Sequence, residues 1–388
     1  MLALTVVAAS TVAIAQTAQA NRSRPFAPGT CGPVDPAYIR AAEATGGIPF
    51  FFQRSEVGVA TKYMTANSGE NRVTVLWAKG TLQNSSREFT VPIDSTLTKT
   101  VFVVSTDNHA TKMEVFDSGG TPISTSRQSD TTDFTCGRYI VAKDLPSGDY
   151  RIRVTGVGRF WLSVQGQSTV FLHEVEFVEL AGRPGHQGMF PIQGEPLVAK
   201  RAQLQASISG SAKDVSFSLI SPEAAQLKSI TMKRTDQDQY GGQQFEGALG
   251  PPTEPFRVIA TGHDEKGNRF QRVHEALFRP TTIEITLHEM ASVLAGQTAL
   301  LTFQVKNLGP PETFRVNAVC ANRWPVKVER TEVALAKGES ASVSVNVSVP
   351  AETSPYSLAD LVFMVSSKSN PDLSNAFIQK LSLDPADH

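Results

Sequence analysis

Residues 94–98, Asp-Ser-Thr-Leu-Thr, match the pattern D-x-[ST]-x-[ST], whose oxygens could bind a divalent cation. A carboxylate and two hydroxyls are hard ligands of the kind that Mg²⁺ prefers. The pattern requires a strand before it and a helix after it, whereas here it joins two predicted β-strands. We therefore interpret these residues as a turn and predict no metal site.

Three further loops combine acidic and amide side chains: residues 263–268, 107–109 and 130–133. The first, His-Asp-Glu-Lys-Gly-Asn, could offer oxygen ligands to Ca²⁺ but lacks the spacing of an EF-hand loop. A hairpin turn with Gly267 or Asn268 at positive φ explains the same residues. Loop oxygens on β-sandwiches can also bind Ca²⁺ or sugars, so that alternative stays open for these loops.

No catalytic motif emerges from the remaining chemistry-bearing residues. Residues 338–342, Gly-Glu-Ser-Ala-Ser, fail the G-x-S-x-G pattern at its last position and lie in a predicted β-turn. The seven histidines form no H-E-x-x-H motif, and no glycine-rich phosphate loop is present. Glu174 and Glu176 share one face of a strand, as solvated residues commonly do. We predict a protein that is not an enzyme and uses no cofactor, with a hydrolase of unrecognised site as an alternative.

The three cysteines are Cys31, Cys136 and Cys320, and none has the C-x-x-C spacing of a zinc or redox site. In an oxidising compartment, one bonded pair and one free thiol is the natural arrangement. Cys31 and Cys136 both precede the predicted second module, whereas Cys320 lies far beyond it. We predict a Cys31–Cys136 disulfide and a free Cys320.

The three tryptophans, Trp77, Trp161 and Trp324, each lie in or beside a predicted strand. A platform that stacks sugars would need exposed rings, whereas core packing is the commoner use. We predict that all three rings are buried.

Residues 1–20, MLALTVVAASTVAIAQTAQA, form an apolar run that ends in Ala-Gln-Ala. This pattern is typical of a secretory leader with an A-x-A cleavage site, although no Lys or Arg precedes it. A transmembrane helix is the alternative. We predict cleavage after Ala20 and a secreted, extracellular or periplasmic protein without a membrane span.

The composition limits the classes of partner. The chain has 388 residues, with 36 Lys and Arg against 37 Asp and Glu, for a net charge of −1. A nearly neutral chain lacks the basic footprint of a nucleic-acid-binding protein. Because 40% of the residues are hydrophobic and 21 are Phe, several β-domains can each bury a core.

The elements that must position these residues are mostly strands. Asp35 is a good N-cap and Pro36 suits the first helical position, so a short helix is predicted before Gly46 and Gly47. Residues 48–52 are predicted to form a buried strand, and residues 55–64 a second helical stretch. From residue 71 onwards, short apolar runs separated by Gly- and Pro-containing turns predict tandem β-sandwiches.

Three segments resemble one family when they are taken together: 37–52 (AYIRAAEATGGIPFFF), 138–166 and 255–273. The first is similar to the last helix and strand of the von Willebrand factor A domain in hemicentins and in von Willebrand factor A domain-containing protein 7. The second resembles the end of the galactose-binding-like sandwich that follows there, and the third the close of the next, Ig-like module. The resemblance implies interaction in the extracellular matrix or at the cell surface. The body of the A domain, with its metal-ion site, is not in this sequence.

The predicted fold is all-β, with galactose-binding-like and Ig-like sandwiches in tandem after a short helix. The predicted boundaries are 1–20 for the signal peptide, 21–68 for an N-terminal helix and strand segment, 69–168 for the galactose-binding-like sandwich, 169–280 for an Ig-like sandwich and 281–388 for a C-terminal Ig-like sandwich.

We predict a binding or scaffold protein that recognises a protein or a surface glycan or other polymer. A carbohydrate-binding protein that uses the first sandwich is the second hypothesis. An exposed aromatic row would favour sugar binding, a buried His–carboxylate–Ser cluster would favour an enzyme, and flat apolar patches would favour protein partners. The sequence gives no indication of the oligomeric state.

Overall fold

The computed structural model describes residues 31–32, 35–182, 185–198, 200–237, 242–354 and 356–383. The predicted leader and its cleavage site lie outside this part of the chain. Within it, the predicted all-β fold is confirmed, because antiparallel sheets make up nearly all of the regular structure.

Two short helices precede the sheets. Helix α1 spans Pro36–Ala44, and the Asp35 side chain caps it by accepting a hydrogen bond from the amide of Ala37 at 2.8 Å. Helix α2 spans Val57–Ala66 after a 3₁₀ turn, close to the predicted helical stretch. The strand predicted over residues 48–52 is wrong, because this segment is extended but pairs with no sheet. Instead, Ile48 and Phe51 bury their side chains against the face of the first sheet.

The first sandwich is one sheet folded over its own core. Its strand order is β1-β6-β2-β5-β4, and β3 pairs with the other half of β6. The strands are β1 (Arg72–Ile93), β2 (Lys99–Thr106), β3 (Lys112–Phe116), β4 (Ser129–Phe134), β5 (Gly137–Lys143) and β6 (Gly148–Gln167).

The runs at residues 72–80 and 87–94 predict two strands, and Gly156-Val157-Gly158 predicts a turn between two more, but β1 and β6 are each continuous. The predicted turn at residues 156–158 is a bend inside β6, and residues 83–85 form the matching irregularity in β1. At the bend, a Cβ on Gly156 would lie 2.6 Å from Cα of Thr111, and its φ of +147° also favours glycine. The bend folds the sheet around a core that contains Phe102, Ile152 and Phe160.

The second sandwich packs a four-stranded sheet, β11-β10-β14-β15, on a five-stranded sheet, β12-β13-β9-β7-β8. The predicted hairpin across residues 264–268 is confirmed between β14 and β15, with Gly267 at φ +84°. The strands are β7 (Phe171–Ala181), β8 (Gly188–Pro191), β9 (Ala202–Ser209), β10 (Lys213–Ile220), β11 (Gln226–Ile230), β12 (Lys233–Gln237), β13 (Gln243–Leu249), β14 (Arg257–His263) and β15 (Arg269–Val273).

The third sandwich packs sheet β16-β17-β21-β19 on sheet β20-β18-β22-β23. The alternating run in β21 buries Val343, Val345 and Val347 completely, and Phe303 stacks on Phe363 at a centroid distance of 4.1 Å. The strands are β16 (Ile283–Met290), β17 (Thr298–Asn307), β18 (Glu312–Cys320), β19 (Val326–Val328), β20 (Glu332–Leu335), β21 (Ser340–Ser348), β22 (Leu358–Ser367) and β23 (Ser374–Ser382).

The N-terminal segment packs between the first two sandwiches. Its buried residues Ile39, Ile48 and Phe51 join a cluster that includes Trp161 of β6 and Ile259 of β14. This fourth hydrophobic core therefore belongs to three parts of the chain at once.

Candidate functional site

Asp94 lies in the turn between β1 and β2, where the sequence placed a cation-binding pattern. Its side chain is completely buried and forms a bidentate ion pair with Arg272 of β15. Nη1 of Arg272 lies 2.8 Å from one carboxylate oxygen and Nη2 lies 3.2 Å from the other. The turn interpretation is therefore confirmed, and both oxygens of Asp94 are occupied by a guanidinium.

The Asp264 loop, the other leading cation candidate, contacts the same turn. Asp264 accepts hydrogen bonds from the amide and the hydroxyl of Ser95 at 2.8 and 2.7 Å, and from the amide of Asn268 at 2.8 Å. Burial raises the pKa of Asp264, but these hydrogen bonds outweigh it and hold the pKa at about 2. Two motifs that look like separate binding sites in the sequence are thus structural partners of each other.

Arg272 completes this junction between the first and second sandwiches. Its Nε donates to the carbonyl of Val170 at 2.8 Å, and its Nη2 donates to the hydroxyl of Ser168 at 2.7 Å. Sequence reasoning missed Arg272, because nothing in the run Phe-Gln-Arg-Val shows that its partner lies 178 positions earlier.

A second buried polar junction holds the N-terminal segment. The carboxylate of Glu43 in α1 accepts hydrogen bonds from Nζ of Lys79 at 2.9 Å and from Nε1 of Trp161 at 2.8 Å. Arg257 of β14 donates to the Glu43 carbonyl at 2.5 Å, and its guanidinium lies 4.3 Å from the ring centroid of Trp77. Burial lowers the pKa of Arg257 to about 9, although the charge of Glu43 opposes the shift.

The tryptophan predictions are confirmed, because Trp77, Trp161 and Trp324 are all buried. Nε1 of Trp77 donates to the carbonyl of Gly47 at 3.1 Å, which ties β1 to the end of α1. These rings serve packing and capping, and they form no exposed row.

The remaining acidic segments are also engaged in structure, and residues 130–133, predicted as a loop, lie within strand β4. Asp107 binds Arg159 at 2.8 Å, and Asp133 binds Arg138 at 2.5 Å. Over the residues that the structure describes, no group of three or more His, Cys, Asp or Glu side chains could hold a metal ion.

The structure brings Cys31 and Cys136 together in a disulfide, with 5.9 Å between their Cα atoms. The amide of Cys31 also donates to the carbonyl of Asp107 at 3.0 Å. Cys320 is free and buried at the end of β18.

One Ser–His pair is present in the second sandwich. Nε2 of His173 and Oγ of Ser209 are 2.6 Å apart on the neighbouring strands β7 and β9. A cavity of about 420 Å³ beside His173 is walled by Arg272, His274 and other residues, but not by Ser209. His173 lines this cavity but the Ser209 hydroxyl does not, so the hydroxyl is poorly placed to act as a nucleophile there.

A cleft with apolar and polar walls lies between the second and third sandwiches. It encloses about 700 Å³, within the usual range for ligand sites, and β7, β8, β16 and β23 contribute to its walls. Leu180 is 70% exposed and Met189 is 40% exposed. Leu180 on β7 and Met189 on β8 are cross-strand neighbours. Leu287 and Phe377 line the side of the cleft that the third sandwich forms. We call this feature the second–third cleft.

Two sheet edges border the second–third cleft, because β8 and β16 are the terminal strands of their sheets. Just before β16, the carbonyl of Thr282 accepts a hydrogen bond from the amide of Leu308 at 2.8 Å, so the alternate residues 283 and 285 direct their backbone groups away from β17. Nδ2 of Asn375 donates a hydrogen bond to the carbonyl of Ile283 at 2.7 Å. Ile285 is the next residue of β16 whose backbone amide and carbonyl point away from β17.

Glu195 lies at the base of the cleft, where the loop after β8 meets the third sandwich. Its amide donates to Oδ1 of Asn375 at 2.9 Å, and its carboxylate accepts from the amide of Arg279 at 2.8 Å. Burial raises the pKa of Glu195 to about 7, and Arg279 only partly offsets this. Parallel pairing of Leu197 with Thr281 fixes the same junction.

Comparison with known families finds a match for the third sandwich. Residues 282–384 match the family described as the VWA7 Ig-like domain. This match confirms the family resemblance, although it begins beyond the segments 37–52, 138–166 and 255–273 on which the resemblance rested.

No curated protein matches the chain. Among solved structures, an Escherichia coli alpha-2-macroglobulin activated by porcine elastase matches at 11% identity, a TM-score of 0.26, and 78% of this chain against 32% of its own. The Yersinia pseudotuberculosis adhesin InvE matches at 12% identity, a TM-score of 0.17, and 50% of this chain against 56% of its own. The mouse nectin-like molecule 4 ectodomain matches at 10% identity, a TM-score of 0.19, and 79% of this chain against 97% of its own. Likenesses at this level do not bear on function.

Among the described helices, none combines the length and apolar content needed to cross a bilayer.

Proposed function

We propose that this chain, whose residues 282–384 match a VWA7 Ig-like domain, is a non-enzymatic binding or scaffold protein that recognises a protein partner outside the cytoplasm. The observation that carries the proposal is the second–third cleft, in which Leu180 and Met189 remain exposed between two sheet edges. Together with Leu287 and Phe377 they line one cleft, and a contiguous apolar patch is typical of a surface that a partner covers.

The partner that fits this cleft is an extended segment of another protein. A segment laid along β16 would pair its backbone with the outward groups of Ile285, as peptides do when they extend a sheet edge. Its alternate apolar side chains would then contact Leu180 and Leu287 on the two walls. The short β8 ends in Pro191, which lacks an amide hydrogen, so β16 is the better edge for pairing.

Fixed geometry at the junctions supports a scaffold role. The Asp94–Arg272 ion pair joins the first and second sandwiches, and the Leu197–Thr281 pairing joins the second and third. A cleft between units that are held in one arrangement is preorganised, which lowers the entropic cost of binding.

The proposal is tested by selecting peptides from a displayed random library on the purified protein. We expect extended sequences with alternating apolar residues, whose binding is lost in Leu180→Glu and kept in Leu300→Glu. Leu300 is a matched control, because it is 43% exposed on β17 and does not line the cleft. Equal loss in both variants, or selection of no peptide, would refute the proposal.

The extracytoplasmic location rests on the predicted leader and is supported by the Cys31–Cys136 disulfide. Mass measurement of the exported protein should give Asn21 as the first residue. Retention of Met1 in an exported protein would contradict it.

A further inference from the structure

A cleft with excess positive charge lies on the first sandwich, away from the second–third cleft. It encloses about 800 Å³ between α2, the start of β2, residues 127–130 and the end of β5. Four cationic and two anionic side chains line it: Lys62, Lys99, Arg127, Lys143, Asp130 and Asp144. We call this feature the α2 cleft.

Within the part of the chain that the structure describes, the four cations of the α2 cleft form no ion pair with an acidic side chain. By contrast, Arg138, Arg153 and Arg159 of the same sandwich each pair with an acidic side chain. The cleft thus carries two more positive than negative charges, whereas the whole chain has a net charge of −1. Such a concave basic surface attracts anions.

Besides apolar residues, the cleft presents hydroxyl and amide groups that can accept hydrogen bonds from the hydroxyls of a ligand. Thr61 and Thr65 project from α2, and Gln128 and Ser129 lie on the opposite wall. The carboxylates of Asp130 and Asp144 can accept hydrogen bonds from hydroxyls. An arginine such as Arg127 matches carboxylate and sulfate oxygens through its planar fork of donors.

The aromatic residue of the cleft offers no stacking platform for nucleic-acid bases. Tyr139 is 2% exposed, and the ring of Tyr63 covers it at a centroid distance of 5.5 Å. Single-stranded nucleic acids depend on exposed rings for stacking, so the cleft lacks their main anchor.

We propose that the α2 cleft binds an acidic polysaccharide, through its carboxylate or sulfate groups at the four cations and its hydroxyls at Asp130 and Asp144. This site is independent of the proposed protein-binding cleft. The carboxylate of Asp94 and the buried tryptophans take no part in it.

The test measures binding of the purified protein to four probes by calorimetry at low and at physiological salt. The probes are polygalacturonate, which carries carboxylates; dextran sulfate, which carries sulfates; dextran, which is neutral; and poly-glutamate, which is an acidic peptide. We expect binding to one or both acidic polysaccharides, weakening as salt rises, and none to dextran or poly-glutamate.

The variant Lys62→Gln/Lys99→Gln/Arg127→Gln/Lys143→Gln should lose at least tenfold in affinity. The charge-matched control Lys327→Gln/Arg330→Gln/Lys337→Gln/Lys380→Gln removes four exposed cations from the third sandwich and should bind as the wild type does. Single Arg127→Gln should weaken binding severalfold, which keeps the test valid if the fourfold variant fails to fold. Equal loss in the control, equal binding of poly-glutamate, or no binding of either acidic polysaccharide would overturn the proposal.

Discussion

Single buried charges decide which of the sequence motifs remain free for chemistry. Asp94 and Arg272 are each at most 1% exposed, and each is the other's neutralising partner. Because a buried charge without a partner is costly, the pair must be kept or replaced as a unit. Because both carboxylate oxygens of Asp94 bind Arg272, they are not free to bind a metal ion.

Removing one member of this pair should therefore destabilise the fold. We expect Asp94→Ala to lower the free energy of unfolding by about 3–5 kcal/mol, because it leaves the Arg272 guanidinium buried and unpaired. The double change Asp94→Leu with Arg272→Met should lose much less, and Glu265→Ala, at an exposed loop position, should change stability by less than about 0.5 kcal/mol. Urea denaturation measures all three.

EDTA provides the complementary measurement. The melting temperature of the wild type should be the same with EDTA and with Mg²⁺. A rise with Mg²⁺ that disappears in Asp94→Ala would show that the carboxylate binds a cation after all.

Glu195 should make stability depend on pH in a defined direction. Its pKa in the folded chain, about 7, lies above the ordinary value of 4.5, so the folded state holds the proton more tightly. The resulting stabilisation is complete below pH 4.5 and is lost as the pH rises through 7. We expect Glu195→Gln to match the wild type near pH 4.5 and to exceed it at pH 8 by at most about 3 kcal/mol.

Urea denaturation at the two pH values checks this expectation. Glu179→Gln, an exposed change in the same cleft, should leave the pH profile unchanged. Parallel profiles for the wild type and Glu195→Gln would contradict the assignment to Glu195.

At the scale of elements, the sequence predicted where helices and strands occur better than where a strand continues or breaks. The Asp35 cap, Pro36 and the alternation of β21 are local signals, and each predicted its element correctly. Residues 48–52 misled because an apolar run indicates burial, which a docked extended segment achieves as well as a strand does. Gly156 and Gly158 suggested a turn, although the same conformational freedom also permits a bend within one strand.

The candidate sites were less predictable than the elements. Arg257 and Arg272 acquire their roles from partners more than 170 positions away, which no local pattern reveals. The exposure of Leu180 depends on how two sandwiches are placed, and this too lies beyond local sequence.

The docking of α1 depends on one glycine. Gly46 has φ +77°, and a Cβ there would lie 2.6 Å from Cβ of Glu275 in the second sandwich. We expect Gly46→Ala to destabilise the chain by at least about 1–3 kcal/mol and to increase hydrogen exchange over residues 36–52. Gly58→Ala, inside α2 with no atom within 4 Å of the added Cβ, should be neutral or stabilising by up to about 1 kcal/mol. Wild-type stability and exchange in Gly46→Ala would contradict this role.

At the scale of the whole molecule, the junctions matter as much as the cores. The cluster around Trp161 combines residues of the N-terminal segment, the first sandwich and the second sandwich. Arg257, Arg272 and Glu195 add buried polar contacts at the same boundaries. These contacts hold the two proposed binding clefts on one framework, one on the first sandwich and one between the second and third.

The position of the disulfide has a mechanical consequence for a protein that holds partners together. Cys31 and Cys136 are 105 positions apart, so tension applied at residue 31 passes through the sulfur atoms directly into the start of β5. The helices and β1 to β4 lie within the bypassed loop and cannot be stretched out between the two cysteines. In single-molecule pulling from the two ends of the chain, we expect the fully unfolded, oxidised chain to be shorter than the reduced chain by roughly 350–380 Å. That length should appear on reduction or in Cys136→Ser, and its presence in the oxidised wild type would show that the two cysteines are not linked.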